Sequence, residues 1–363
     1  MRDAVALVIG SSQISNFVSY SADSNVLTPA DCFSCKISRI DDSIEPGKQF
    51  GLYVNGSLEM TGVIDSVKPS YAKGSQEMEI VGRDYMGLLI DSSVEEYKTL
   101  NKMELKELAK RLLKNVNFID SSKIMYGNEL TNTGVSKLKK PRRDALSKIF
   151  DDTSSNVCQW EPGVSIFEAL SDYAQRRGLL MWMEPDGILV FGELRGESDT
   201  AVYNFYTYTE GDDRKKNNII SASRTNDISK RFSKITTIAQ IQGSDSFGAG
   251  EQTVKKISTE KDFPFAKPLV MQSQCSSVKA AAYQVQLEMK KREVEGWRLE
   301  IVIAGHSQDG VNYRANTVCH LRDEVLGELG NYLVLGRKLT MDRQNGPRTE
   351  LTIGKLMKGY TVS

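Results

Sequence analysis

The chain has 363 residues, a length for two or three domains that can each bury a core without covalent staples. Its 47 Lys and Arg balance 47 Asp and Glu, so no net charge draws the protein to nucleic acid or an anionic bilayer, and a partner has to be recognised by shape and local pattern. The odd count of cysteines, Cys32, Cys35, Cys158, Cys275 and Cys319, reads as free thiols in a reducing compartment, and no run of about eighteen apolar residues could span a bilayer.

The first ninety residues read as strand and turn. The apolar run at Ala4 to Ile9 is too short for a secretory core, and polar Ser11-Ser12-Gln13 follows it, which gives the expectation of a protein made and kept in a cytoplasm. Further strands are expected at Ile14 to Tyr20 and Cys32 to Ile40, and a β-meander over Leu52 to Gly87. In the meander, Asn55-Gly56 supplies the two residues of positive φ that a type I′ turn requires, which sets Tyr53 opposite Leu58. Met78 and Ile80 alternate with Glu77 and Glu79, as in a sheet with one face buried. About six strands are enough for one small antiparallel barrel, residues 1–91.

Residues 92–195 read as an α+β unit. Asn101 to Glu104 resembles a capping box, and Leu105, Leu108, Ala109 and Leu112 form an amphipathic stripe behind it. Residues 115–160 are polar, loop-rich and basic at Lys137 to Arg143. Ser165 to Glu168 is a second capping box, Gly178 stands at a helix stop, and Leu179 to Glu184 with Ile188 to Phe191 make a hairpin around Pro185-Asp186-Gly187.

After a polar, aromatic linker at 195–217, two strands are expected over Asn218 to Gln242, then an exposed excursion from Gly243 to Pro268 and a helix from Val278 to Glu295. Trp297 to Ala304 alternates again, and Tyr332 to Met341 with Thr349 to Lys355 closes the chain as a hairpin. The reading is therefore a second barrel from 196–245 and 297–363, with 246–296 inserted as loop and helix. Ile80-Val81-Gly82-Arg83 and Thr352-Ile353-Gly354-Lys355 each end a strand with apolar, Gly, basic. The match is short enough for chance; a true repeat would mean two related β-units. Gly62, Gly82 and Gly354 are read as structural positions where strands bend or backbones approach, because glycine weakens a strand unless geometry demands it.

Chemistry is sparse. Cys32-Phe33-Ser34-Cys35 has the spacing of half a zinc site but no second half, and the plainer reading is a strand with one thiol on each face. Neither His306, in a polar turn, nor His320 accompanies a GxSxG elbow. Glu161, Glu168, Asp172 and Glu184 offer carboxylates for a glycosidase pair, yet nothing fixes their separation and Glu168 is explained as a cap. The basic runs Lys137 to Arg143 and Arg214-Lys215-Lys216 lack interleaved aromatics and read as solvated loops. No nucleotide-cradling glycine motif occurs.

The order of barrel, capped α+β insert and interrupted second barrel, together with Gly62-Val63-Ile64-Asp65-Ser66-Val67 and Ile80-Val81-Gly82-Arg83-Asp84-Tyr85, resembles the baseplate hub protein of Mu-like contractile-tailed phages and related contractile injection particles. The Ser165 to Phe191 unit resembles it too, whereas 115–160 matches nothing in it. The resemblance implies a non-enzymatic virion protein of the tail baseplate, assembled in the bacterial host cytoplasm, without cofactor or metal. It implies a homotrimer that joins the sixfold tail tube to the threefold spike. Its partners would be the tail tube protein, the spike protein and other baseplate proteins, with no specific nucleic acid and no membrane insertion. The alternatives are a tail-associated enzyme acting on the cell wall, which needs a convergent acid pair, and an oligonucleotide-binding β-barrel, which needs basic and aromatic residues on one face.

Overall fold

The computed structural model describes residues 3–96, 98–101, 103–127, 157–197, 199–241, 252–274 and 278–356. The basic run Lys137 to Arg143 lies outside them. The first part of the chain is β1 (Val5–Ile9), β2 (Ser12–Ile14), β3 (Phe17–Asn25), β4 (Cys32–Ile37), β5 (Gln49–Val54), β6 (Ser57–Ala72) and β7 (Ser75–Asp84). Period-two patterning puts Val5, Leu7, Ile9, Phe33, Cys35, Phe50, Leu52, Met78 and Ile80 on one face, which curls around a single core. Asn55 and Gly56 have φ of 51° and 79°, and Tyr53 stands opposite Leu58, the expected type I′ geometry.

At Asp84 the chain turns from strand to helix. The Asp84 carboxylate accepts hydrogen bonds from the backbone N–H groups of Met86 and Gly87, capping α1 (Tyr85–Asp91), a helix that the sequence pattern does not announce. Then come β8 (Lys98–Asn101), α2 (Leu105–Leu112), β9 (Met125–Tyr126), β10 (Val157–Trp160), α3 (Ile166–Gln175), β11 (Leu180–Met183) and β12 (Leu189–Gly192). Asn101 does not cap α2: it ends β8, paired with Val157, and Glu104 takes the cap position without a side-chain hydrogen bond. The second capping box forms as read, with Ser165 and Glu168 bonded reciprocally at 3.0 and 3.3 Å. Tyr85, Met86 and Leu89 of α1, Leu105 and Leu108 of α2, and Leu170 and Tyr173 of α3 share one core with Phe191 of the β11–β12 hairpin.

The last part holds β13 (Tyr203–Thr207), β14 (Ile219–Asn226), β15 (Lys234–Ile241), β16 (Gln252–Thr259), β17 (Pro268–Gln274), α4 (Val278–Gly296), β18 (Trp297–Ala304), β19 (Ser307–Gln308), β20 (Val311–Asn312), β21 (Thr317–Asp323), β22 (Glu328–Asp342) and β23 (Gly346–Lys355). Two expectations need correction. The stretch 195–217 is not merely a linker, because β13 pairs parallel with β21 and buries Tyr203 and Phe205. The excursion from Gly243 to Pro268 contains β16, and β15 pairs with β16 and β17 rather than with the large sheet. These three strands carry α4, whose Val285 and Met289 pack with Ile235. The inserted piece is therefore a sheet and helix that takes β15 with it. The polar, Lys-rich composition of β16 reflects a strand with one wet face.

The large sheet has thirteen strands in the order β14-β18-β23-β22-β3-β4-β7-β6-β5-β1-β2, with β21 on β22 and β13 on β21. Among the described residues no pairing closes it into a barrel, so the observed architecture is mainly β with α+β and sheet-helix insertions. One strand arrangement nevertheless occurs twice, once at each end of the chain. The N-terminal unit runs β1-β5-β6-β7-β4-β3 across the sheet and the C-terminal unit β13-β21-β22-β23-β18-β14. In both, the chain visits these positions as first, fourth, fifth, sixth, third and second strand. All neighbours are antiparallel except β13 and β21.

The units also bulge alike. The long hairpin strand shifts register between Ile64 and Ser66 in one and between Val334 and Gly336 in the other, and the second strand between Phe17 and Ser19 and between Ile219 and Ser221. Anchored on these bulges, Phe33 corresponds to Leu299, Met78 to Thr349, Ile80 to Leu351 and Gly82 to Ile353, all facing inward. The sequence match of Val81-Gly82-Arg83 to Ile353-Gly354-Lys355 is thus one residue out of register, and it would place an inward residue against an outward one. The correspondence lies in pairing and bulges, not in that tripeptide.

Gly82 lies opposite Ile64 at the β6 bulge and Gly354 packs beside bulged Leu335, whereas Gly62 stands in regular register between Phe50 and Asp84. A Cβ on Gly62 would lie 1.9 Å from the Arg83 carbonyl oxygen, one on Gly82 would lie 2.6 Å from a Phe50 ring carbon, and one on Gly354 would meet Cδ1 of bulged Leu335 at 2.6 Å. Gly62 faces backbone, which cannot swing aside. Gly62→Ala is therefore expected to cost about 2 kcal/mol by forcing strands apart, and thermal unfolding checks it: an unchanged melting temperature would mean that this close approach is unimportant.

Candidate assembly site

The two units meet at one seam. Beyond its bulge, β22 pairs antiparallel with β3, from Gly336 opposite Asn25 to Met341 opposite Tyr20. Leu339 enters the N-terminal core, and the Val26 N–H donates to the carbonyl of bulged Leu335 at 3.0 Å. Beneath the seam lies a buried ionic cluster. The β5–β6 pairing slips between Leu52 and Tyr53, which makes Glu59 a bulged residue and turns it inward next to Met60. Glu59 is 3% exposed. Its Oε1 accepts from Asn312 Nδ2 at 2.8 Å and from Arg314 Nη2 at 3.1 Å, while Oε2 faces Arg337 Nη1 at 2.8 Å. Arg337 also donates to the Tyr313 carbonyl, and Asn312 to the Val54 carbonyl at 2.8 Å. Burial pushes the Glu59 carboxyl up, but the Arg337 and Arg314 guanidiniums and the Asn312 amide outweigh it and hold it below the usual carboxylate range.

His306 makes a second link. It is fully buried, with Nε2 2.6 Å from Tyr20 Oη of β3 and Nδ1 3.0 Å from Thr349 Oγ1 of β23. The Thr349 hydroxyl donates to the Gly305 carbonyl at 2.6 Å, so it accepts from Nδ1–H and leaves Nε2 to accept from Tyr20. Burial lowers the histidine pKa and raises that of Tyr20, so the pair stays neutral. The expected polar turn is instead an internal fastening, and both ring nitrogens are committed.

The Gly82-Arg83-Asp84 stretch has a role at each residue. Gly82 admits Phe50. Arg83 grips bulged Asp65 through Nε at 2.7 Å and Asp91 of α1 through Nη2 at 2.6 Å. Asp84 caps α1, and its carboxyl is pushed well up by burial and by nearby Asp31, which burial also raises. In the C-terminal unit Gly354 stands where Arg83 does, so one bulge is held by an ion pair and the other is given room.

Among the described residues, the thiols and several of the carboxylates singled out for chemistry hold other places. Cys32 is exposed and Cys35 buried, on opposite faces of β4, and among the described residues no cluster of metal ligands occurs. Glu168 is a cap, Asp172 pairs with Arg176 at 2.5 Å, and Glu184 accepts from Trp182 Nε1 at 2.9 Å, so these carboxylates are engaged on their own elements. Arg214-Lys215-Lys216 lies in an exposed single turn where Lys216 pairs with Asp213 at 2.7 Å. What the surface does offer is sheet edge. Among the described residues β14 pairs only with β18, and the outer half of β6, beyond Asp65, pairs only with β7. Tyr71 on the latter is 85% exposed, and Ile220 on β14 is 50% exposed.

This fold is that of phage tail proteins. Residues 4–84 match the family described as Mu phage baseplate assembly protein GpP-like, N-terminal, the group that the sequence resembles. Over 98% of this chain and 97% of the other, the structure superimposes on the tail protein from Neisseria meningitidis with a TM-score of 0.78 and 26% identity. The prophage MuSo2 43 kDa tail protein from Shewanella oneidensis gives 0.73 and 18% over 97% of this chain and 98% of that one. An E. coli type VI secretion component, described as similar to the T4 tail proteins gp27 and gp5, gives 0.56 and 9% over 96% and 76%. No curated protein matches the sequence.

Two predictions follow from the seam and its carboxylates. Glu59→Ala would leave two guanidiniums facing each other without a counter-charge and is expected to cost about 3 to 5 kcal/mol; denaturant unfolding measures it, and a loss under about 1 kcal/mol would show that water reaches the cluster. The raised carboxyls of Asp31 and Asp84 bind protons in the folded state that the unfolded chain, with an Asp pKa of about 3.9, releases. Stability should therefore rise as pH falls from neutral toward about 5, then fall below about 4 as Glu59, depressed when folded, is protonated. Melting curves across pH test this, and Asp84→Asn, which keeps a capping oxygen, should flatten the rise.

Proposed function

We propose that this chain is a structural hub protein of a contractile tail baseplate. Three copies form a ring that adapts a sixfold tail tube to a threefold spike. The observation that supports it best is the repeated unit, two six-stranded arrangements with one strand order and matching bulges in a single chain. On this reading each unit is a tube-type barrel element, residues 92–195 are an α+β domain between them, and Gly62, Gly82 and Gly354 are structural glycines of the barrel elements. Three chains then present six similar sheets to the tube, and the partners are the tube protein, the spike protein and neighbouring baseplate proteins. The role is mechanical, without catalysis or cofactor, and its place is the tail of the virion. Closed cyclic symmetry fixes the copy number of such a ring.

Light scattering and single-particle images of the purified protein test the proposal. The expected result is a threefold ring with six similar lobes. A monomer at all concentrations that also fails to join a ring when tube and spike proteins are added would overturn it.

A further inference from the structure

The seam inside the chain specifies what its free edges can accept. It joins the second strand of the N-terminal unit, β3, to the outer half of the fifth strand of the C-terminal unit, β22. The reciprocal edges, the second strand of the C-terminal unit and the outer half of the fifth strand of the N-terminal unit, are β14 and β6, and among the described residues both are unpaired on that side. They cannot be the same junction within one chain, because β3 and β22 already occupy it in the middle of the sheet and β14 is the sheet's end strand. We propose that β14 of one copy adds antiparallel to the outer half of β6 in a second copy of this chain. The register is carried over from the internal seam: Tyr71 opposite Ala222, Ser70 opposite Ser223, Pro69 opposite Arg224, Lys68 opposite Thr225 and Val67 opposite Asn226.

The register follows from the bulges. Ser66, just past the β6 bulge, corresponds to Gly336, and Ser221, just past the β14 bulge, corresponds to Ser19. Met341 opposite Tyr20 therefore becomes Tyr71 opposite Ala222. The side chains suit it. No like charges face each other, Tyr71 gains a covering strand, and Lys68, which corresponds to Lys338 of the internal seam, meets a threonine. Pro69 supplies no N–H, so the junction lacks one ladder donor; a lysine and a proline on an edge also discourage unspecific strand addition, which leaves a partner of matched shape. The contact is head to tail, and such contacts close into a ring when the rotation per copy divides a full turn.

This inference rests on the ring proposed above, and disulfide trapping separates the two. In a Cys32→Ser background, Ser70→Cys and Ser223→Cys are made as separate proteins and mixed under mild oxidation. The expected result is a covalent dimer from the mixture and none from either protein alone. The double variant should give a ladder of cross-linked species ending at the ring's copy number, while Ser43→Cys with Ser223→Cys should give none. A trimer by light scattering that yields no Ser70–Ser223 cross-link would overturn this junction and leave the ring standing. Efficient cross-linking in a ladder that ends elsewhere than at three would uphold the junction and overturn the trimer. Monomers that give no cross-links and form no ring even when tube and spike proteins are added would overturn both.

Discussion

The ion pair of Glu59 with Arg337, supported by Arg314, is the constraint on which the relation of the two halves depends. A carboxylate with so little exposure needs partners, and its partners come from the other end of the sequence. Ion pairs of this kind add little net stability over an apolar core, but they tolerate few alternative arrangements, because any slip strands a charge in a low-dielectric interior. The cluster therefore fixes how β22 lies on β3. A one-residue slip along that seam would turn Leu339 out of the N-terminal core and carry Arg337 away from Glu59 together. Register and charge enforce the same answer. The neutral Tyr20, His306 and Thr349 chain adds a third condition at the far end of the seam.

Bulges are what make this possible. Glu59 would face outward in a regular strand, and the slip between Leu52 and Tyr53 is what turns it inward beside Met60. The bulges shared by the two units lie one residue before the segments that meet at the seam, so they bend the long strands where these leave one sheet partner for another. The same backbone irregularity is stabilised by different chemistry, an Arg83 to Asp65 ion pair in one unit and a glycine beside a leucine in the other. That is how two units keep one geometry with almost no shared sequence.

Local order was legible in the sequence where one short pattern decides it. Asn55-Gly56, the Ser165 to Glu168 box, the helix from Val278 and the alternation of β18 each read correctly, because turn chemistry and periodicity act over a few residues. What failed to show was decided by pairing. Asn101 looks like a cap but is held in β8 by β10; the polar stretch 195–217 hides β13, a strand that β21 selects; and β15 reads as one more strand of the large sheet although β16 and β17 claim it. The seam was illegible for the same reason. Glu59, His306 and Arg337 look like ordinary polar surface residues until a bulge and a distant strand enclose them. The Gly82 and Gly354 match pointed to a repeat that the pairing displays, yet at the wrong register, since glycine serves packing in one unit and accommodates the bulged Leu335 in the other.

The two units differ most where pairing does not constrain the chain. Between second and third strands the N-terminal unit has a short turn, whereas the C-terminal unit carries β15, β16, β17 and α4 in the same gap. Between the units sits the α1 to β12 region. Strand ends are where insertions cost least, because the ladder on either side keeps its register whatever the connection does. Under the proposed ring this difference has a consequence for symmetry. The sheets, which share strand order and bulges, recur six times, but each insertion recurs three times, since every chain carries it once. A partner that contacts only sheet would meet near-sixfold surroundings, and a partner that contacts the insertions would meet threefold ones. In such a ring the two symmetries would need no separate proteins: they would follow from repeating the constrained part of the fold within a chain while letting the unconstrained part differ.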